Sequence, residues 1–287
     1  MDKIKKIYVD SRFRTKDSFS NSDFKFELKE SIDLPDNTVC YVDDISIPHS
    51  WHTIEQNRNN TLYIITTHFD DPVWYHCLAL DIPSGNYNGI TLAAAIQNEL
   101  QVAEPNMYFT CVYNTARGNL TIESNNVLLF NIISDDQLPL LVTEHPIWRD
   151  RIGNEVPVDP NNFHSLNEVL RYTNTEFYHP QSTTPVSEFE SEFLDLLTIH
   201  NIYMHCPNLG HFNSVGVRGE NSIIKRIPVS SGYGYQILDS VVSPHDKMDV
   251  SRQNIKTIHF ILKDVYGNVI DLHGSNYSFS LVFVTIE

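Results

Sequence analysis

Basic residues are scarce in this chain. Twenty Lys and Arg stand against 36 Asp and Glu in 287 residues, a formal net charge of −16, and none lies between Arg58 and Arg117. A surface this acidic is repelled by phosphate backbones, which argues against coating nucleic acid as the main task. Cysteine is sparse too. Cys40, Cys77, Cys111 and Cys206 form no CxxC and no regular spacing, and three of them lie in apolar alternating runs, where a free thiol behaves as a small buried hydrophobe. No apolar run exceeds a handful of residues, far short of a membrane span. Charged residues follow Met1 in place of the apolar core of a signal peptide, so folding in the reducing interior of a cell is expected.

Aromatics, by contrast, are plentiful. Fifteen Phe and 14 Tyr against four Met tilt the chain toward half-buried pleated surfaces. A length of 287 residues can bury a core without disulfides or metals, and all-β chains of this size are often single domains. The few cations are unevenly placed. Residues 1–16 carry Lys3, Lys5, Lys6, Arg12, Arg14 and Lys16 against Asp2 and Asp10. This basic arm reads either as a contact to DNA or an acidic neighbour, or more plainly as a solvated terminus.

Strand signals recur at 7–10, 23–28, 39–47, 61–68, 75–82, 108–113, 119–123, 128–133, 197–205, 223–229, 235–241, 257–263 and 277–286. Turn-forming clusters such as LPDN (34–37) and SGNYNG (84–89) separate them. The last two runs read as a hairpin-like pair about DVYGN (264–268), with Ile258, Phe260 and Leu262 on one face. Helices are few. Residues 90–103 carry an apolar stripe, with Thr91 as the expected N-cap. Ser165-x-x-Glu168 and Ser187-x-x-Glu190 read as capping boxes opening short helices. The stretch 136–187 is otherwise proline-rich and loop-like. About a dozen strands with few helices fit a closed or two-sheet antiparallel architecture; a jelly roll suits it, as do other sandwiches.

Each trace of chemistry has a plainer structural reading. Asp43 and Asp44 are tandem acids, but neighbours on a regular strand face opposite ways. His200, His205 and His211 lack an HxH or HExxH pattern and do not share a strand face. Cys40 and His49 have no flanking cysteine-protease signature. GVRGEN (216–221) lacks the Lys-Ser/Thr of a phosphate loop, and SGYGYQ (231–236) reads as a tight loop with few cations to help it stack bases. No catalytic, cofactor-binding or metal-binding residue is assigned, and no enzyme activity or cofactor is expected.

Two terminal regions resemble a known family. IYVDSRFRTKDSFSNSDFKFEL (7–28) with LPDNTVCYVDDISIPHSWHTI (34–54), and IIKRIPVS (223–230) with the run at 243–284, are similar to the two ends of the penton-type minor capsid proteins of Polinton (Maverick) elements and adintoviruses. That family is related to virophage pentons. SGNYNGITLAAAIQNEL (84–100) is similar to its central segment, whereas 136–196 has no counterpart. The resemblance implies a mainly β protein, a single jelly-roll antiparallel β-sandwich with an inserted loop and short-helix region. One domain over 1–287 is expected, with a basic N-terminal arm at about 1–16 and a proline-rich insertion at about 136–196.

It further implies a homopentamer at icosahedral fivefold vertices, with a double jelly-roll major capsid protein as partner, in a virion made inside the host cell. The basic arm is then placed for a weak contact with packaged DNA. Deleting residues 1–6 is expected to spare the pentamer and weaken its attachment to the shell. The alternative is a cytosolic jelly roll that binds a ligand or carbohydrate on Trp51, Trp74 and Trp148. A β-barrel enzyme is a third class, against which the missing metal-ligand triad argues.

Overall fold

The computed structural model describes residues 3–68, 71–125, 127–135, 137–138, 165–171, 188–209, 214–216 and 219–286. Two compact units emerge, one built from Met1–Trp51 with Ile199–Glu287 and the other from His52–Thr198. The second unit opens at His52, includes the stretch 136–196 that the sequence suggests as an insertion, and has a core of its own. Much of 136–187 lies outside the described residues.

The first unit begins with β1 (Lys3–Asp10), β2 (Asp23–Asp33) and β3 (Thr38–Pro48). The second unit supplies β4 (Thr61–His68), β5 (Asp71–Asp81), α1 (Gly89–Ala103), β6 (Tyr108–Asn114), β7 (Asn119–Asn125), β8 (Val127–Ile132), the single turn α2 (Asn167–Leu170) and β9 (Glu188–Glu190). The chain then returns to the first unit through β10 (Asn201–His205), β11 (Ile223–Pro228), β12 (Gln236–Asp239), β13 (Met248–Asp249), β14 (Asn254–Lys263) and β15 (Ser278–Thr285).

In the first unit the strands form two antiparallel sheets, ordered β1-β15-β3-β12 and β11-β10-β14-β2, with β13 also paired to β3. Apart from β10 and β11, successive long strands alternate between the sheets, which is the strand order of a jelly roll. Period-two alternation explains the choice of faces. Cys40, Val42, Leu281 and Phe283 enter one core from the first sheet, and Phe24, Ile202, Phe260 and Leu262 enter it from the second. Phe260 meets Phe279 edge to face across that core, ring centroids 4.7 Å apart. The hairpin expected at the C-terminal end does not form. β14 pairs with β10 and β2, whereas β15 pairs with β1 and β3, so the turn at 264–268 lies on a crossover between sheets.

The stretch expected as a basic arm is largely an edge strand. Lys3 through Asp10 pair in continuous register with Thr285 through Ser278, because Ile7 and Val9 have apolar partners in Leu281 and Phe279. Lysines on an outer strand discourage further sheet growth, which gives Lys3 and Lys5 a role without an arm. At an edge of the second sheet Lys225 on β11 is buried. Its Nζ donates to the Val241 carbonyl at 2.8 Å and lies 3.7 Å from Asp239 Oδ2, tying β11 to the chain around β12.

The second unit holds two three-stranded sheets, β5-β4-β8 and β6-β7-β9. Leu92, Ile96 and Leu100 of α1 join Ile64, Phe109 and Ile122 in its core. The N-cap of α1 is Asn88, not Thr91. Asn88 Oδ1 accepts the Thr91 N–H at 2.9 Å, and the Thr91 hydroxyl accepts the Asn88 N–H at 2.9 Å, completing a capping box. The box expected at Ser165 is replaced by other pairings, because Glu168 turns to Arg58 and Asn59, at 2.7 Å each. The helix expected after Ser187 is also overturned: Glu188–Glu190 form β9 against β7, with Phe189 in the core. Among the described residues no helix is long and apolar enough to cross a membrane.

Candidate interaction surface

The residues weighed for chemistry do not converge. Asp43 and Asp44 do reach one side of the sheet, contrary to the simple alternation. A register shift opposite Ser280 and Leu281 bulges β3, and both carboxylates approach Lys6 Nζ, at 2.7 and 3.6 Å. They are thereby committed to an ion pair. Cys40 is fully buried, and burial holds its thiol well above its usual pKa. His49 lies just past the far end of the same strand, roughly 30 Å away at about 3.3 Å per residue. Its Nδ1 lies 2.8 Å from the Ser231 carbonyl, and its ring stacks on Trp51 at 4.2 Å.

His205 is buried with Nδ1 3.0 Å from Ser222 Oγ, His200 is exposed, and His211 lies outside the described residues. Trp51 is only 3% exposed, which removes it as a stacking platform. Trp148 and the side chain of Trp74 lie outside the described residues. The loop 231–236 is tight, as expected: the Gly234 N–H donates to the His49 carbonyl at 2.8 Å, and Gly234 adopts φ +83°. In 216–221 the Gly216 N–H donates to the Glu220 carbonyl at 2.7 Å, while Val217 and Arg218 lie outside the described residues.

The outstanding surface features are apolar and sit at opposite edges of the sheet β1-β15-β3-β12. On the β1 side a groove of about 660 Å³ opens toward β2, floored by Ile7, Val9, Phe26, Leu28 and Phe279. Tyr8 and Phe13 also line it and are 74% and 73% exposed. On the β12 side Tyr235, Leu238 and Val241 are 72%, 70% and 75% exposed. Apolar side chains left in water across such an area mark a surface that binds another macromolecule. Alternation with one core face per strand gives no reason to single out Tyr8, Phe13, Leu238 or Val241. The signal is nonetheless present in IKKIYV (4–9), where Ile4 and Tyr8 are apolar in one parity and Ile7 and Val9 in the other.

No family model and no curated protein matches this sequence. Among solved structures, the chain is similar to the crystal structure of the mavirus penton protein, with 11% identity and a TM-score of 0.49 over 98% of this chain and 100% of that one. It is also similar to a chain in the 3.5 Å cryo-EM structure of the Sputnik virophage, with 14% identity and a TM-score of 0.43 over 99% of this chain and 98% of that one.

Proposed function

We propose that this chain is a non-enzymatic structural protein of a viral capsid, the penton subunit of a Polinton-like DNA virus, forming homopentamers at icosahedral fivefold vertices. A double jelly-roll major capsid protein surrounds it there, in a virion assembled within the host cell. The observation that carries this reading is the coincidence of fold and resemblance. The penton-like segments 7–28, 223–230 and 243–284, with all but the last three residues of 34–54, fall within the first unit, whose strand order is that of a jelly roll. Its open edges also carry the apolar, aromatic-bearing surfaces that subunit contacts use. The basic N-terminal stretch, held in the sheet at residues 3–10, offers its cations to an acidic neighbour or to packaged DNA.

The test is the solution mass of the purified chain by light scattering across a range of concentrations. Five times 33.0 kDa is the expected result. A chain that stays at 33.0 kDa at every concentration, and also in the presence of the major capsid protein, overturns it.

A further inference from the structure

We propose that the β1 edge of one copy receives the β12 edge of the next. Tyr235, Leu238 and Val241 of the donor then cover the groove around Phe13 and Tyr8 of the acceptor. This inference rests on the penton reading and names the surfaces that close the ring.

Three observations select a second copy as the occupant. The two exposed apolar edges belong to one sheet and lie at its opposite ends, so a head-to-tail contact covers both. A twofold contact would use one edge twice and leave the other in water. Head-to-tail contacts are heterologous and close into a ring when the rotation between copies allows it.

Charge makes the same choice. The β1 side, residues 3–16, carries six basic residues against Asp10, and it stays basic on balance with Asp43 and Asp44 paired to Lys6 and with Glu27 and Lys29 both lining the groove. The β12 side, residues 236–249, carries Asp246 and Asp249 against Lys247, with Asp239 matched by the buried Lys225. Copies of a chain at −16 repel one another over most of their surfaces. Basic edge against acidic edge is an attractive match, whereas β1 against β1 is cation against cation.

Shape agrees as well. The β1 side is concave, a 660 Å³ groove with an apolar floor, while the β12 side offers protruding side chains. A few aromatic and aliphatic anchors in such a groove supply most of the energy of an interface.

The experiment uses two single variants of the full chain, Phe13→Asp in the groove and Leu238→Asp on the opposite edge. Both side chains are largely exposed, so each variant should keep the parent's fold, read by circular dichroism; Tyr8→Asp and Tyr235→Asp form a second pair should either fail to fold. Light scattering of each variant alone should show a fall from five chain masses to one. An equimolar mixture should recover two chain masses and no more, because an intact groove meets an intact knob once and the broken surfaces cap both ends. Variants that remain pentameric overturn the assignment of edges while leaving the penton reading in place. Monomeric variants whose mixture stays monomeric show that the two edges do not meet, which also overturns it. A parent chain that never exceeds one mass overturns this inference and the pentameric reading together.

Discussion

At the scale of single residues, the jelly roll stores an acid sensitivity in two histidines. Burial lowers the pKa of His49 below the ordinary 6.5, opposed by its hydrogen bond to the Ser231 carbonyl. Burial also lowers that of His205, helped by the nearby Lys263 and opposed by Glu220. For both, the folded state holds the neutral ring while the unfolded chain protonates first as pH falls. Their contribution to stability is therefore intact above 6.5 and is lost as pH drops through the folded-state values. Melting temperature is expected to fall between pH 7 and 5, each site contributing at most about 1.4 kcal/mol per pH unit. The double variant His49→Gln with His205→Gln should flatten that fall, and an unchanged slope would refute the assignment.

Residue roles were the least legible part of the sequence. Regular alternation puts Asp43 and Asp44 on opposite faces, whereas the bulge in β3 is set by pairing with a strand more than 230 residues away. Trp51 offered no sequence sign that His49 would stack on it and the core enclose it.

At the scale of elements, β1 is the piece whose reading changed most. Removing residues 1–6 would strip the partners from Thr285 through Val282 and break the ion pairs of Lys6 with Asp43 and Asp44. It would leave the apolar end of β15, with Val282, Phe283 and Val284, as a new exposed edge. The truncated chain is expected to melt several degrees lower and to associate non-specifically as concentration rises, checked by thermal shift with light scattering. An unchanged melting temperature would restore the view of a dispensable arm.

Thirteen expected strands correspond to observed ones, and 61–68 agrees to the residue, because alternation over four or more positions is a strong local signal. The two that escaped, Glu188–Glu190 and Met248–Asp249, are too short for any period to show. The lost C-terminal hairpin has a different cause. Local pattern marks β14 and β15 as strands but carries no record of which sheet each joins.

At the scale of the whole molecule, the two cores predict two events in unfolding. Each unit buries its own apolar cluster, so one cooperative transition is not expected. Phe260→Ala should lower one calorimetric transition by about 3–5 kcal/mol, and Ile96→Ala should lower the other by about 2–5 kcal/mol. Variants that shift a single shared transition would show that the units unfold as one. The second core was invisible from sequence because strand signals of the same kind run through both units, with no change of composition at residues 51–52 or 198–199.

The pairing of Lys3 with Thr285 bears on the order in which a nascent chain folds. In the second unit β4 pairs with the adjacent β5 and β6 with the adjacent β7, and the pairings of β4 with β8 and β7 with β9 stay within residues 61–190. The jelly roll instead joins its first strand to its last and cannot close until the chain has been synthesised through Thr285. The middle of the chain therefore matures first on the ribosome. Residues 3–48, though made earliest, wait unpaired and apolar for their partners, and that interval is when this protein most needs a chaperone.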